Sequence, residues 1–176
     1  MTSATNSSRS IAIPLIAAAA CFAALLIGGA LTRPNLDWYA TLTKPGFTPP
    51  NSAFPIAWAI LYTLTAISAW LAWRVPNKES DKKLAFAWFF VQLALGVLWS
   101  VAFFWMHSPG AGLGVIMAFL VAIAITIVFF DRLSRLAAVL LMPLLLWICF
   151  ATVLNSAIWL LNQCRQCELQ ELVPPV

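Results

Sequence analysis

Five stretches of this chain, 11–31, 54–73, 84–105, 113–130 and 136–161, contain no Asp, Glu, Lys or Arg. Each approaches or exceeds the ~20 residues that an α-helix needs to cross the hydrocarbon layer of a bilayer. Backbone donors and acceptors have no water to bond in that layer, so such stretches must be helical. The chain is 62% hydrophobic and 9% charged, whereas soluble domains carry about 25% charge. A water-soluble core of 176 residues could not hide so much apolar surface. The fold class that follows is an all-α membrane protein, a bundle of five transmembrane helices in a lipid bilayer.

The charges lie between and beyond the runs. With five spans, seven Lys and Arg fall on the side of the N-terminus and three on the other. The positive-inside rule puts the N-terminus in the cytoplasm and the 32–53 loop and C-terminus outside. The net charge of +4 does not point to nucleic acid, because the basic residues occupy short loops rather than a stripe. Residues 1–10, rich in Ser and Thr, read as a disordered tail, and 163–176 as a polar C-terminal tail. The first run exceeds the ~7–15 residues of a signal-peptide core, so it reads as a retained helix. A bacterial cell membrane suits the short loops best. The short links after the second, third and fourth runs make sequential helices antiparallel neighbours, and Pro143 makes a kink in the fifth run an expectation.

Chemistry is scarce at depth. Ion pumps and proton-coupled transporters place ionisable groups within the membrane, and the runs have none. The single histidine, His107, ends the third run and reads as a loop residue. No nucleophile and base can be paired among the buried residues. Cys21 and Cys149 read as small core residues. Cys164 and Cys167 form a lone C-x-x-C, half of a structural zinc site. No metal and no required cofactor are expected.

Tryptophan is abundant, with nine in the chain. Trp73, Trp105 and Trp159 fit an interface belt at the run ends. Others recur on single helix faces: Phe54, Trp58 and Tyr62; Gln92, Gly96, Trp99 and Phe103; Trp147, Ala151, Leu154 and Asn155. Two readings fit such faces. They pack helix on helix, with small residues and amides at the seams. Or they line a cavity for a flat apolar ligand, with rings to stack on it and an amide to bond it. The stretch 38–50 is equally double. It carries Trp38, Tyr39, Phe47 and four prolines or glycines from Pro45 to Pro50. It reads as a non-helical ordered lid over the bundle or as part of the aromatic belt.

These residues also occur in a specific order. Trp38-Tyr39 is followed by Leu42-Thr43-Lys44-Pro45 and Phe47-Thr48-Pro49-Pro50. Next come Phe54-Pro55, Trp58 and Leu61-Tyr62; Gln92-Leu93-Ala94-Leu95, Trp99 and Phe103-Phe104; and Pro143, Trp147, Phe150-Ala151-Thr152 and Leu154-Asn155. From about Leu31 to Asn162 the chain resembles the TspO/translocator protein family, also called tryptophan-rich sensory proteins or peripheral-type benzodiazepine receptors. The resemblance implies a five-helix bundle, a homodimer, and a ligand pocket under the first loop. It implies porphyrins such as protoporphyrin IX and heme, or sterols, as ligands, and a receptor or transporter role. Light-dependent porphyrin breakdown and a scaffold acting through partner proteins are the alternatives. The family's pocket positions carry over to Trp58, Trp99, Phe103, Trp147 and Ala151, with Tyr39 and Pro49 in the lid and Leu154 and Asn155 nearby. Tyr62 and Phe150 complete the candidate ligand-binding set.

Three positions depart from the family pattern. Ser52 stands where the family usually has Trp, Gly96 where it has Asn, and Leu144 where it has Tyr. Polar partners and ring area are therefore missing, which implies a roomier or drier pocket. The sterol motif proposed for the end of the fifth helix needs a central Tyr, and 153–158 has none. A partner helix in a dimer could seat on Ala87, Ala94 or Gly96.

Overall fold

The computed structural model describes residues 3–76 and 79–171, with side chains described over 12–76 and 81–163. Its elements are α1 (Ser3–Thr32), a 3₁₀ turn (Arg33–Asn35), α2 (Leu36–Thr41), α3 (Ala53–Arg74), α4 (Glu79–Ser100), a π-helical turn (Val101–Trp105), α5 (Pro109–Leu133) and α6 (Arg135–Glu171). Five helices are long and apolar enough to cross a membrane. The protein is a multi-pass integral membrane protein.

Going round the bundle, the order is α1, α3, α6, α5, α4 and back to α1. Sequential helices are neighbours for α4–α5 and α5–α6, but not for α3–α4, which α1 separates. Two properties permit this. The link 75–78 has four residues, and four extended residues reach about 14 Å. The inner face of α1 is also thin: Ala17, Cys21 and Ala24 recur every three to four residues and are buried. Without a hydrophobic force between helices in lipid, such small residues let backbones approach and gain van der Waals contact.

Polar groups tie the ring together where they can. The Ser68 hydroxyl on α3 donates to the Ala137 carbonyl of α6 at 2.6 Å. Thr65 and Thr126, both fully buried, donate to the carbonyls one turn back, of Leu61 and Ala122. Ser108 caps α5, its hydroxyl accepting from the Ala111 amide, and Pro109 follows at the first helical position. The single residue Ser134 separates α5 from α6.

Two differences from the sequence reading concern helix ends. The polar residues 3–10, read as disordered, continue α1, and α6 runs past Gln163 to Glu171. A helix once nucleated gains one bond per added residue, and no Gly or Pro interrupts either extension. The 32–53 loop is likewise partly helical. Pro34 lies in the 3₁₀ turn at its start, the next proline is Pro45, and Leu36–Thr41 between them has none. Extended chain is confined to the proline-rich part from Leu42 onward. The side chains of Cys164 and Cys167 lie outside the described residues.

Candidate functional site: an aromatic cavity under a clasped loop

The loop after α1 is held at two points. At its start, Trp38 stacks on His107 with ring centroids 4.5 Å apart, and the His107 ring nitrogen Nε2 bonds the Asn35 side-chain oxygen at 2.8 Å. His107 adopts a positive φ of 51°, which turns the chain between the π turn and α5. At its middle, the Thr43 backbone exchanges two hydrogen bonds with the Asn162 side chain of α6. Just beyond it the Lys44 ammonium reaches back to donate to the Tyr39 and Leu42 carbonyls at 2.7 and 3.0 Å and closes the C-terminus of α2. These are the carbonyls a helix end leaves unpaired. The ammonium also lies 4.7 Å from the Tyr39 ring centroid.

Beneath the loop, Tyr39 is buried and its ring meets Phe103 and Phe104 at 6.2 and 5.9 Å. The π turn explains how two successive phenylalanines face inward. Its Met106 amide bonds the carbonyl five residues back, at Val101, which widens the turn and holds both rings in the bundle. Leu154 and Ile158 of α6 complete this upper layer.

Deeper, Trp99 stacks on Phe103 at 5.5 Å and donates its indole N–H to the Asn155 side-chain oxygen at 3.1 Å. The Asn155 amide in turn donates to the Pro109 carbonyl at 2.7 Å, so the buried carboxamide is satisfied at both atoms. Trp58 stacks on Tyr62 at 5.6 Å and lies 6.4 Å from Trp99 and 6.5 Å from Trp147. Ala151 packs with Leu61, Ile116, Phe119, Leu144 and Ile148.

A cavity of about 530 Å³ opens between α3 and α6. Pro49 of the loop, Ala57, Ile60 and Leu61 of α3, and Pro143, Leu146, Trp147 and Phe150 of α6 line it. Its walls are apolar throughout, and the volume lies within the ~300–1,000 Å³ of small-molecule sites. Ile60 and Leu146 at its mouth are exposed, so the opening faces the hydrocarbon layer. The candidate residues therefore divide. Pro49, Trp147 and Phe150 line the cavity; Tyr39, Tyr62, Phe103, Leu154 and Asn155 are buried in the packed rings beside it, with Trp58, Trp99 and Ala151. Trp147 is the shared wall.

The three departures from the family pattern have definite surroundings. Gly96 leaves no void: a Cβ there would lie 3.0 Å from the Tyr62 hydroxyl and 3.1 Å from the Phe119 ring. The expected extra room at this position is occupied by those two side chains. It also places Gly96 inside the bundle, whereas Ala87 and Ala94 face outward. Leu144 is buried in an apolar cluster with Leu61, Ile116, Phe119 and Ile148, and Ser52 is exposed. Among the described residues, no three His, Cys, Asp or Glu side chains gather to hold a metal.

Sequence reasoning missed Asn35, Asn162, Ala57, Ile60 and Leu146, and left Trp38 and His107 without partners. The one local signal was Ser108-Pro109, a cap and first-turn pair that fixes where α5 begins.

Five helices long and apolar enough to span a membrane, closed in a ring with aromatic side chains gathered under a clasped loop, define a polytopic membrane protein. A model of the TspO/MBR family matches residues 16–160. The chain is 46% identical over 125 residues to the tryptophan-rich protein TspO of Archaeoglobus fulgidus, covering 71% of this chain and 80% of that protein. It is 36% identical over 143 residues to the protein of the same name from Chlorobaculum tepidum, covering 81% and 90%. To the human translocator protein it is 34% identical over 126 residues, covering 71% and 75%. The chain belongs to the TspO/MBR family.

Proposed function

We propose that the protein binds a flat apolar ligand, a tetrapyrrole such as protoporphyrin IX or heme before a sterol, in the cavity under the 32–53 loop, and that it works as a membrane receptor or transporter. The observation that carries this reading is the position of Trp147. It lines an apolar cavity of about 530 Å³ on one side and meets Trp58 at 6.5 Å on the other. A planar ligand entering from the bilayer would lie against Pro49, Phe150 and the Trp147 ring. Ring stacking contributes around 0.5–1.5 kcal/mol beyond buried area. The cavity walls offer no charged group, which suits a ligand whose body is apolar.

Quenching of intrinsic Trp fluorescence by protoporphyrin IX in detergent tests it. Saturable quenching, weakened several-fold in Trp147→Ala, is the expected result. Unsaturable quenching in the wild type would remove the porphyrin reading.

A second reading, light-dependent porphyrin breakdown, is favoured by the edge-on pair of Trp58 and Trp147, whose planes cross at 80°. A ring bound in the cavity would touch the Trp147 indole, with Trp58 directly behind it. Illuminated porphyrin losing absorbance at the same rate with and without protein would eliminate it. A homodimer would use the outward face of α4, where Ala87, Val91, Ala94 and Leu98 are exposed.

A further inference from the structure

The α3–α6 cavity has a definite depth in the membrane. α3 has 22 residues, which at 1.5 Å per residue is about 33 Å and matches the ~30 Å hydrocarbon core. Its two ends therefore lie near the two edges of that core. Ala57 and Leu61, which line the cavity, come four and eight residues after Ala53, the first residue of α3. Leu61 is thus about 12 Å below the loop-side edge. The Ser68–Ala137 hydrogen bond sets the antiparallel α3 and α6 level with each other. Leu61 accordingly falls beside Leu144 in one apolar cluster, next to Pro143 at the cavity floor. Pro49 of the loop lies at the opposite end. The cavity runs from the loop-side edge of the core to near its midplane, which is about 15 Å in. The acyl chains of one leaflet occupy the same depth.

The walls decide what can lie there. Apart from the Trp147 indole N–H, no lining side chain carries a polar atom. A buried water needs about two to four polar partners, so water does not fill this space. An empty slot would forfeit dispersion contacts along its walls. The mouth, at exposed Ile60 and Leu146, opens sideways on the hydrocarbon layer, whose chains are as apolar as leucine. A chain that enters needs no polar partner within the walls. Its ester and head group stay at the edge of the core, beside exposed Asn51 and Ser52.

We propose that the cavity is a binding slot for one acyl chain of a glycerophospholipid in the loop-side leaflet, and that entry of any larger ligand is an exchange for that chain. Such a slot holds a chain whether or not the protein also takes a tetrapyrrole.

Native mass spectrometry of the full-length protein, delipidated and then given dioleoylphosphatidylcholine, counts the lipid retained after the detergent is stripped. The wild type should keep one lipid. Ala57→Phe fills the slot and should lose it, and Ile60→Trp at the mouth repeats the measurement if that variant does not fold. Val128→Phe changes an exposed position on α5, away from the cavity, and should keep the lipid. Dioleoylphosphatidylglycerol should be retained equally well, because the walls meet only the chain. No lipid retained by the wild type, or equal retention in the cavity variants, would overturn the proposal. So would a clear preference for one head group, which would place the binding on polar groups instead. Protoporphyrin IX should displace the lipid one for one. A wild type that keeps the lipid in the slot but takes no porphyrin would uphold this proposal and overturn the tetrapyrrole reading, so the two fail separately.

Discussion

Asn162 and Thr43, 119 residues apart in sequence, are joined by two hydrogen bonds of 3.0 Å, one in each direction. The Asn162 amide also donates to the Ile158 carbonyl at 2.7 Å, which fixes its rotamer on α6. A side chain so held acts as a fixed docking point for the loop backbone. Asn162→Ala should loosen the loop without disturbing the helices. Intramolecular hydrogen bonds contribute about 0.5–1.5 kcal/mol each, and these are partly exposed, so a net loss near 1 kcal/mol is expected. Hydrogen exchange of the amides between Leu42 and Ala53 should accelerate by roughly five-fold, while exchange in α3 to α6 stays the same. Unaltered exchange in the loop would show that the Trp38 and His107 end alone holds it.

The clasp at the loop's start stores backbone strain. His107 has φ of 51°, a region that costs an L-residue about 1–2 kcal/mol relative to glycine. Its ring compensates by stacking on Trp38 and bonding Asn35. His107→Ala and His107→Gly both lose the ring, but only the alanine keeps the strain. The glycine variant should be more stable than the alanine variant by roughly 1 kcal/mol. Chemical unfolding in a fixed detergent measures the difference. An alanine variant as stable as the glycine one would mean that the turn relaxes once the ring is gone.

The Trp99–Asn155–Pro109 chain depends on a glycine. At Gly112 an added Cβ would meet the Asn155 side-chain oxygen and the Phe103 ring at 3.0 Å and the Phe103 Cβ at 3.1 Å. Neither neighbour yields easily, since Asn155 is tied by two hydrogen bonds and Phe103 is enclosed by Trp38, Tyr39, Trp99 and Phe104. Overpacking costs about 1–3 kcal/mol. The gain in helix propensity from Gly to Ala is at most ~1 kcal/mol. Gly112→Ala should therefore lower stability by about 1 kcal/mol or more, read as a lower melting temperature in detergent. A higher one would show that α5 can shift outward at no cost.

The five spans were legible because lipid makes the signal simple: charge-free runs of sufficient length have one backbone solution. Their order round the bundle was not. Link length suggested that α3 and α4 pack together, but Ala17, Cys21 and Ala24 make α1 thin enough to lie between them. The face carrying Gln92, Gly96, Trp99 and Phe103 was visible as a period. Periodicity says which residues share a face, and not whether that face meets a neighbour or a cavity. The loop clasps escaped notice because Asn162–Thr43 and His107–Asn35 join residues far apart, through side chains that are common in any loop. The α3–α6 cavity escaped because Ala57, Ile60 and Leu146 look like ordinary lipid-facing positions.

That cavity can be tested apart from the ring cluster. Ala57 lines it from α3 and is half-buried, and no aromatic contact runs through it. A phenylalanine at this position would project its ring into the space that a planar ligand needs. The mouth faces lipid, so the new ring has room to settle and little strain should follow. Ala57→Phe should keep the melting temperature within a few degrees of the wild type, as expected of changes below about 1 kcal/mol. Protoporphyrin IX affinity should fall at least ten-fold, because the ligand must either displace the ring or lose its contact with Trp147. Fluorescence quenching titrations on both proteins in the same detergent give the ratio. Equal affinities would place the ligand among the packed rings of Trp58, Trp99 and Phe103 instead, which would have to part to admit it.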